Sequence, residues 1–370
     1  MTDVLITVSG TIAPDIETQI TAGTRPQADY LQLAHVLEAE LLDYARARQL
    51  TGVIGQWIER IGGANLLLAW TCFRRRRKYR AILTDGEQIG LPFALLCKLA
   101  GRKGVKHVMI AHVLSVAKKM VFLDRWGVQA YIDTFIVYAS RQKRFIEERW
   151  QIPAARVHYT PFMVDGHFFS PQQVTPQPRW MICAVGLELR DYPTLLEAVR
   201  GLDVEVVIAA ASPWSKRADS TQGAALPPNV TVRKFSQYEL RQLYADSLFV
   251  VMPLYNVDFQ AGVTAILEAM AMEKAVICSR TSGQTDVIEE GQTGHYVAPG
   301  DPVALRERIT FLLANPTLAQ QMGQAGRRRI ETEMDISHYV LRLQQYVHAT
   351  LNQSWAQSEY TNQFVEAASR

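Results

Sequence analysis

The chain has 370 residues, 48% hydrophobic and 20% charged, with a net charge of +3. That length supports two domains, each with its own core, and the absence of any apolar run of roughly eighteen residues excludes an ordinary transmembrane helix. The charge is uneven: residues 1–170 hold 22 Lys and Arg against 15 Asp and Glu, or +7, and the remainder 17 against 21, or −4.

The four cysteines, Cys72, Cys97, Cys183 and Cys278, are widely spaced in apolar runs, which reads as buried small side chains and not as a disulfide or metal framework. The opening MTDVLITVSG carries an acid and no basic region, so it predicts a first strand, Val4–Val8, and not a signal peptide. A cytoplasmic location is the expectation. The strand closes at Ser9 and Gly10, the strand-to-loop glycine of a Rossmann-like sheet. Residues 11–29, with Pro14, Gly23 and Pro26, form a long polar loop of the kind that carries function.

Tyr30–Tyr44 predicts an amphipathic helix with Leu31, Ala34, Leu37, Leu41 and Leu42 on one side. A second helical stretch, Ile54–Trp70, leads through Phe73 to the bases Arg74–Lys78. Such a cluster beside an aromatic-bearing helix end suits an anionic membrane surface; a solvated terminus offsetting the helix dipole is the equal alternative. No stacking platform accompanies the bases, so nucleic acid is not expected.

A strand over Arg80–Thr84 runs into Asp85, Gly86 and Glu87 and then an apolar helix through Leu99. The two acids stand where open α/β sheets bind ligands, and either orients an acceptor or caps the helix. Strand Lys106–Ala111 ends in His112, whose place at a strand tip faces a cleft, or else bonds to backbone. Lys118 and Lys119 are expected in solvent. Strand Asp133–Ala139 and helix Ser140–Trp150 precede the proline-rich linker Ser170–Pro178, a domain boundary.

The second half opens on strand Met181–Val185, closed by Gly186 and followed by Arg190, whose planar fork suits a phosphate or pairs with Glu188 or Asp191. Strand Glu205–Ala211 leads to a loop with Lys216 and Arg217; strand Val230–Phe235 and helix Glu239–Asp246 follow. The apolar run Leu248–Met252 stops at Pro253, and Gly262 then opens a short apolar helix, Thr264–Met272, whose one charge is Glu268. Amides of Gly262, Val263 and Thr264 at that helix start suit a diphosphate. Glu268, deeper in the same helix, suits the paired hydroxyls of a ribose. The competing reading makes Gly262 a tight turn and Glu268 a partner of some base. Pro302–Ala314, Pro316–Met322 and Ser337–Thr350 predict helices, the last able to return to the first domain.

Residues 259–301 resemble the signature of family-four retaining glycosyltransferases with the GT-B fold. Glu268 matches the second glutamate of that family's Glu-x7-Glu pair, Ala269-Met270-Ala271 its helix, Ser282-Gly283 its loop and Gly291-Gln292-Thr293-Gly294 its turn. The first glutamate is replaced by Gln260, with Asp258 nearby as a reserve carboxylate near the reacting centre. The resemblance implies an α/β protein of two Rossmann-like domains facing across a cleft: an acceptor domain over 1–172, a nucleotide-sugar domain over 179–345, and a helix and tail over 346–370 packing back on the first.

It also implies transfer of a hexose from a nucleotide diphosphate sugar, UDP-sugar favoured, to a hydroxyl acceptor with retention, and no cofactor besides that co-substrate. With no Asp-x-Asp motif present, no metal is expected. His112 then lies against the reacting sugar, Arg25, Asp29, Asp85 and Glu87 are on the acceptor side, and Arg190 and Lys216 share the diphosphate. A degenerate, non-catalytic nucleotide-sugar binder is the main alternative, because the first glutamate and two phosphate bases depart from the pattern.

Overall fold

A computed structural model describes residues 2–210 and 226–352 of the chain. Contacts divide the described residues into two compact units, residues 2–14, 28–160 and 340–352 in the first and residues 15–27, 161–210 and 226–339 in the second.

The first unit holds six parallel strands: β1 (Val4–Thr7), β2 (Glu40–Leu42), β3 (Ala81–Asp85), β4 (Lys106–Ala111), β5 (Thr134–Val137) and β6 (Val157–Tyr159), in spatial order β2-β1-β3-β4-β5-β6. The second repeats the plan with β7 (Met181–Val185), β8 (Glu205–Ala209), β9 (Val230–Arg233), β10 (Val250–Met252), β11 (Val276–Ser279) and β12 (Gly294–Val297), ordered β12-β11-β10-β7-β8-β9. Most of these strands are apolar and buried along their length because helices cover both faces, as in Rossmann-like folds. Each unit is therefore the expected α/β sheet, and its strand ends gather at the edge where ligands bind.

Local bonding explains where the chain changes unit. Asp165 accepts from the amides of Gln27 at 2.7 Å, His167 at 3.0 Å and Phe168 at 2.9 Å, and Val164 bridges to Asp335. The change at Thr160–Pro161 thus precedes the linker Ser170–Pro178. The helix Ile336–Asn352 ends in the first unit, where Gln344 donates to the Val36 carbonyl at 3.0 Å and Thr350 meets Thr134 at 2.7 Å.

Two helix expectations need correction. Tyr30–Tyr44 is not one helix: the helix Asp29–Val36 stops, Glu38 takes φ +47°, and residues 40–42 join β1 in parallel, since strand pairing outweighs the helical pattern. The stretch begun at Ile54 belongs to a longer run, Tyr44–Arg75, broken at Gly52 (φ 55°, ψ −137°) and Gly63 (φ 75°, ψ 177°), backbone states open only to glycine. The Tyr44 hydroxyl reaches Asn65 at 2.6 Å, a contact impossible along a straight helix, so the chain goes out and returns.

The four cysteines are buried and free. Among the described residues no helix is long and apolar enough to cross a membrane. A Cβ at Gly294 would lie 2.1 Å from the Val276 carbonyl oxygen of the neighbouring strand. Gly294→Ala is therefore expected to destabilise the protein by about 1–3 kcal/mol, read as a lower urea midpoint; an unchanged midpoint contradicts this close packing.

Candidate functional site

In the second unit, Gly262 takes the left-handed conformation (φ 77°) and caps the helix Val263–Ala271, with no side chain closing that end. By helix geometry its first amides lack partners inside the helix and its positive dipole end points outward. Gly262 is half-buried and Thr264 exposed.

Arg190 lies directly against this elbow. It is buried, its Nε donating to the Val185 carbonyl at 2.8 Å and its Nη1 to the Glu188 carbonyl at 2.7 Å. A Cβ on Gly262 would come within 3.2 Å of Nη1, and one on Gly186 within 2.4 Å of Nη2. Gly186 at the end of β7 and Gly262 at the start of the helix thus make room for one guanidinium. Burial pulls the Arg190 pKa below its ordinary value, yet an arginine keeps its charge.

Glu268 sits in the middle of the same helix, 5% exposed, and accepts a hydrogen bond from the Tyr244 hydroxyl at 2.9 Å. Desolvation pushes its pKa up to about 7, against the opposing Tyr244 bond and Arg190 charge. Tyr244 was not singled out in the sequence: it lies 24 positions from Glu268, and nothing local marks the pair.

Gln260 and Asp258 lie on the loop before Gly262. Asp258 is exposed, whereas the Gln260 Oε1 is buried with no hydrogen-bond partner among the described residues. The Ser282-Gly283 loop packs on this segment, the Gly283 backbone amide donating to the Val257 carbonyl at 3.1 Å and the Gln284 side-chain Nε2 to the Ala261 carbonyl at 3.0 Å. A Cβ at Gly283 would stand 2.3 Å from the Phe259 backbone, so the two loops meet only because this residue is glycine. Lys216 and Arg217 lie outside the described residues. A separate open groove of about 740 Å³ between the linker and the helix Gln237–Asp246, lined by Phe235, Tyr238 and Arg241 among others, includes none of Gly262, Arg190 and Glu268.

In the first unit the strand ends bring Asp85 and His112 together, Nε2 to Oδ1 at 3.0 Å. Partial desolvation lowers the His112 pKa, but the Asp85 bond and the charges of Asp85, Glu87 and Asp29 outweigh it, so the imidazole stands above its ordinary value. Asp29 joins this cluster, pushed up to about 7 by desolvation and then by the Asp85 charge. Gly10 lies in the loop after β1, with open space where a Cβ would stand; next to it Ser9 donates to the Asp85 carbonyl at 2.9 Å.

Glu87 has a different use from the one expected. Buried at 2% exposure, it accepts the His112 amide at 2.8 Å, the Val113 amide at 3.3 Å and the Lys119 ammonium, so it holds the loop that carries His112. Lys119 accordingly leaves the solvent expected of it, and donates also to the Val113 carbonyl at 3.0 Å.

Residues 174–329 match the family described as glycosyl transferases group 1. The alpha-maltose-1-phosphate synthase of Mycolicibacterium smegmatis is 30% identical over 279 residues, 64% of this chain and 70% of that protein. The chain belongs to the glycosyl transferases group 1 family. The capsular polysaccharide biosynthesis glycosyltransferase CapM of Staphylococcus aureus is 26% identical over 136 residues, 36% of this chain and only 35% of CapM.

Among solved structures, a glycosyltransferase from Rickettsia africae ESF-5 aligns with TM-score 0.68 at 14% identity, covering 95% of this chain and 99% of that one. Anabaena Alr3699/HepE in complex with UDP and glucose aligns with TM-score 0.65 at 13% identity, covering 94% and 100%. These likenesses establish the GT-B fold for this family member.

The raised Glu268 pKa carries a stability prediction. Its folded pKa of about 7 lies above the ordinary 4.5, so the ionised form opposes folding above pH 7 and that cost vanishes below pH 4.5. Without ligand, Glu268→Gln is expected to stabilise the protein by about 2–3 kcal/mol at pH 8 and by nothing measurable near pH 4. Urea melts at the two pH values check this; equal effects at both contradict it.

Proposed function

We propose that the protein transfers a hexose from a nucleotide diphosphate sugar, UDP-sugar favoured, to a hydroxyl acceptor with retention at the anomeric carbon. The observation that carries the reading is the Gly262 elbow, where helix-end amides and the Arg190 guanidinium converge beside Glu268. Amides and guanidinium offset the charge developing on the departing diphosphate, with no metal required. Ionised Glu268 accepts from the ribose hydroxyls, exchanging the Tyr244 bond or sharing the carboxylate with it. HepE, which shares the fold, was solved with UDP, and this favours a uridine donor.

In the reaction the bond from the anomeric carbon to the diphosphate oxygen breaks and a bond to the acceptor oxygen forms on the same face. The acceptor proton passes to the leaving phosphate. Gln260 or Asp258 contacts the donor sugar, and His112, oriented by Asp85 and by Glu87 beneath its amide, offers a hydrogen bond to the sugar or phosphate. Asp85 and Asp29 border the acceptor.

The acceptor proposed is lipid-linked, met at the inner face of an anionic membrane. The base cluster enters this role reduced. Arg75 pairs with Glu40 at 2.9 Å, and Arg76 is buried against Phe73 and donates to the carbonyls of Phe73 at 2.6 Å and Gly101 at 2.9 Å. Arg74, Arg77 and Lys78 are exposed.

The second reading, a non-catalytic nucleotide-sugar binder, rests on Gln260 standing where the family has its first glutamate. A thermal-shift screen across UDP-, GDP- and ADP-sugars, followed by assay of nucleotide release, separates the two. UDP-sugar at 100 times its dissociation constant is expected to stabilise by about 2.7 kcal/mol, with Glu268→Ala weakening binding at least tenfold. Binding without nucleotide release in the presence of varied acceptors selects the binder, and no shift with any donor contradicts both.

A further inference from the structure

The run Tyr44–Arg75 is three helical pieces, and the middle one, residues 53–62 between the Gly52 and Gly63 breaks, carries four exposed large apolar side chains. Val53 is 80% exposed, Ile54 57%, Trp57 65% and Ile61 63%. At 100° per residue these four fall on one side of the helix within a sector of about 100°. Gly55 faces the opposite way, buried, with Leu67 of the returning piece against it. On that side too the Glu59 carboxylate pairs with Arg48 at 2.6 Å across the Gly52 break, and Tyr44 and Asn65 tie the outer pieces together. Among the described residues, the apolar side of this short helix is left uncovered.

We propose that residues 53–62 are a docking helix that lies in the interface of an anionic lipid bilayer, with Val53, Ile54, Trp57 and Ile61 entering the acyl boundary. Charge chooses lipid over a second copy of the chain. Arg60 flanks the stripe and is exposed, residues 44–65 hold three arginines against one acid, Glu59, and that acid is paired. Exposed Arg74, Arg77 and Lys78 follow at the end of the returning piece, within a half of the chain that carries +7. Two such surfaces repel each other, whereas an apolar stripe bordered by bases is what an interfacial helix on anionic lipid requires. The tryptophan adds the amphipathic ring favoured at headgroup depth. This rests on the membrane-linked acceptor reading for its purpose but not for its evidence.

The test is co-sedimentation of the full chain with vesicles of phosphatidylcholine alone or with about a third phosphatidylglycerol. Binding is expected only to the anionic vesicles, at least tenfold weaker for the Ile54→Ser, Trp57→Ser, Ile61→Ser triple variant, with the UDP-sugar thermal shift unchanged. On anionic vesicles the parent's fluorescence is expected to shift to the blue, and Trp57→Phe to remove that shift. Triple-variant binding equal to the parent, no binding by the parent, or a parent dimer that the triple variant dissociates each overturns the proposal. Loss of the UDP-sugar shift in the parent would instead overturn the donor-site reading and leave vesicle binding to be judged by itself.

Discussion

Everything at the proposed donor site depends on one steric arrangement: Gly262 in a left-handed turn, with the guanidinium of Arg190 against the space a side chain would fill. Glycine there does two things at once. It starts the helix Val263–Ala271 at the end of the loop that follows β10, and it leaves room for a buried positive charge beside the first amides of that helix. Gly186, at the end of β7, repeats the arrangement from the other side of Arg190. The carbonyls of Val185 and Glu188 hold the guanidinium in place beside that helix start, an arrangement that suits the dianion proposed for it.

Glu268 shows what that preparation costs. Burying a carboxyl to 5% exposure raises its pKa to about 7 despite the Tyr244 bond, so the surroundings of this group work against its ionised form. The first unit holds a parallel case in Asp29, also near 7, beside Asp85 and His112. Both sites keep ionisable groups in unfavourable surroundings, a pattern that accompanies function more often than stability.

Much of the fold was legible in the sequence. The strands Lys106–Ala111 and Met181–Val185 and the helices Ser140–Trp150 and Pro302–Ala314 have the bounds that their apolar runs, caps and prolines indicate. What was not legible depends on distant partners. β2 reads as the end of a helix until β1 pairs with it, and nothing near Lys119 announces that Glu87 is buried beneath it. Arg75 and Arg76 read as members of a basic run, yet Glu40 and the Phe73 ring remove them from it. At the site, the glycine elbow and Glu268 were visible as a motif, whereas Tyr244 came from another helix. The helix 53–62 was hidden because its two glycines break a pattern that otherwise continues through them.

The most direct measurement is amide hydrogen exchange at Gly262, Val263 and Thr264 with and without saturating UDP. If those amides grip the diphosphate, their exchange slows at least tenfold on binding, and the slowing is lost when phosphate-free uridine replaces UDP. Unchanged exchange at all three with UDP demonstrably bound, or protection confined to the groove lined by Phe235, Tyr238 and Arg241, contradicts the account.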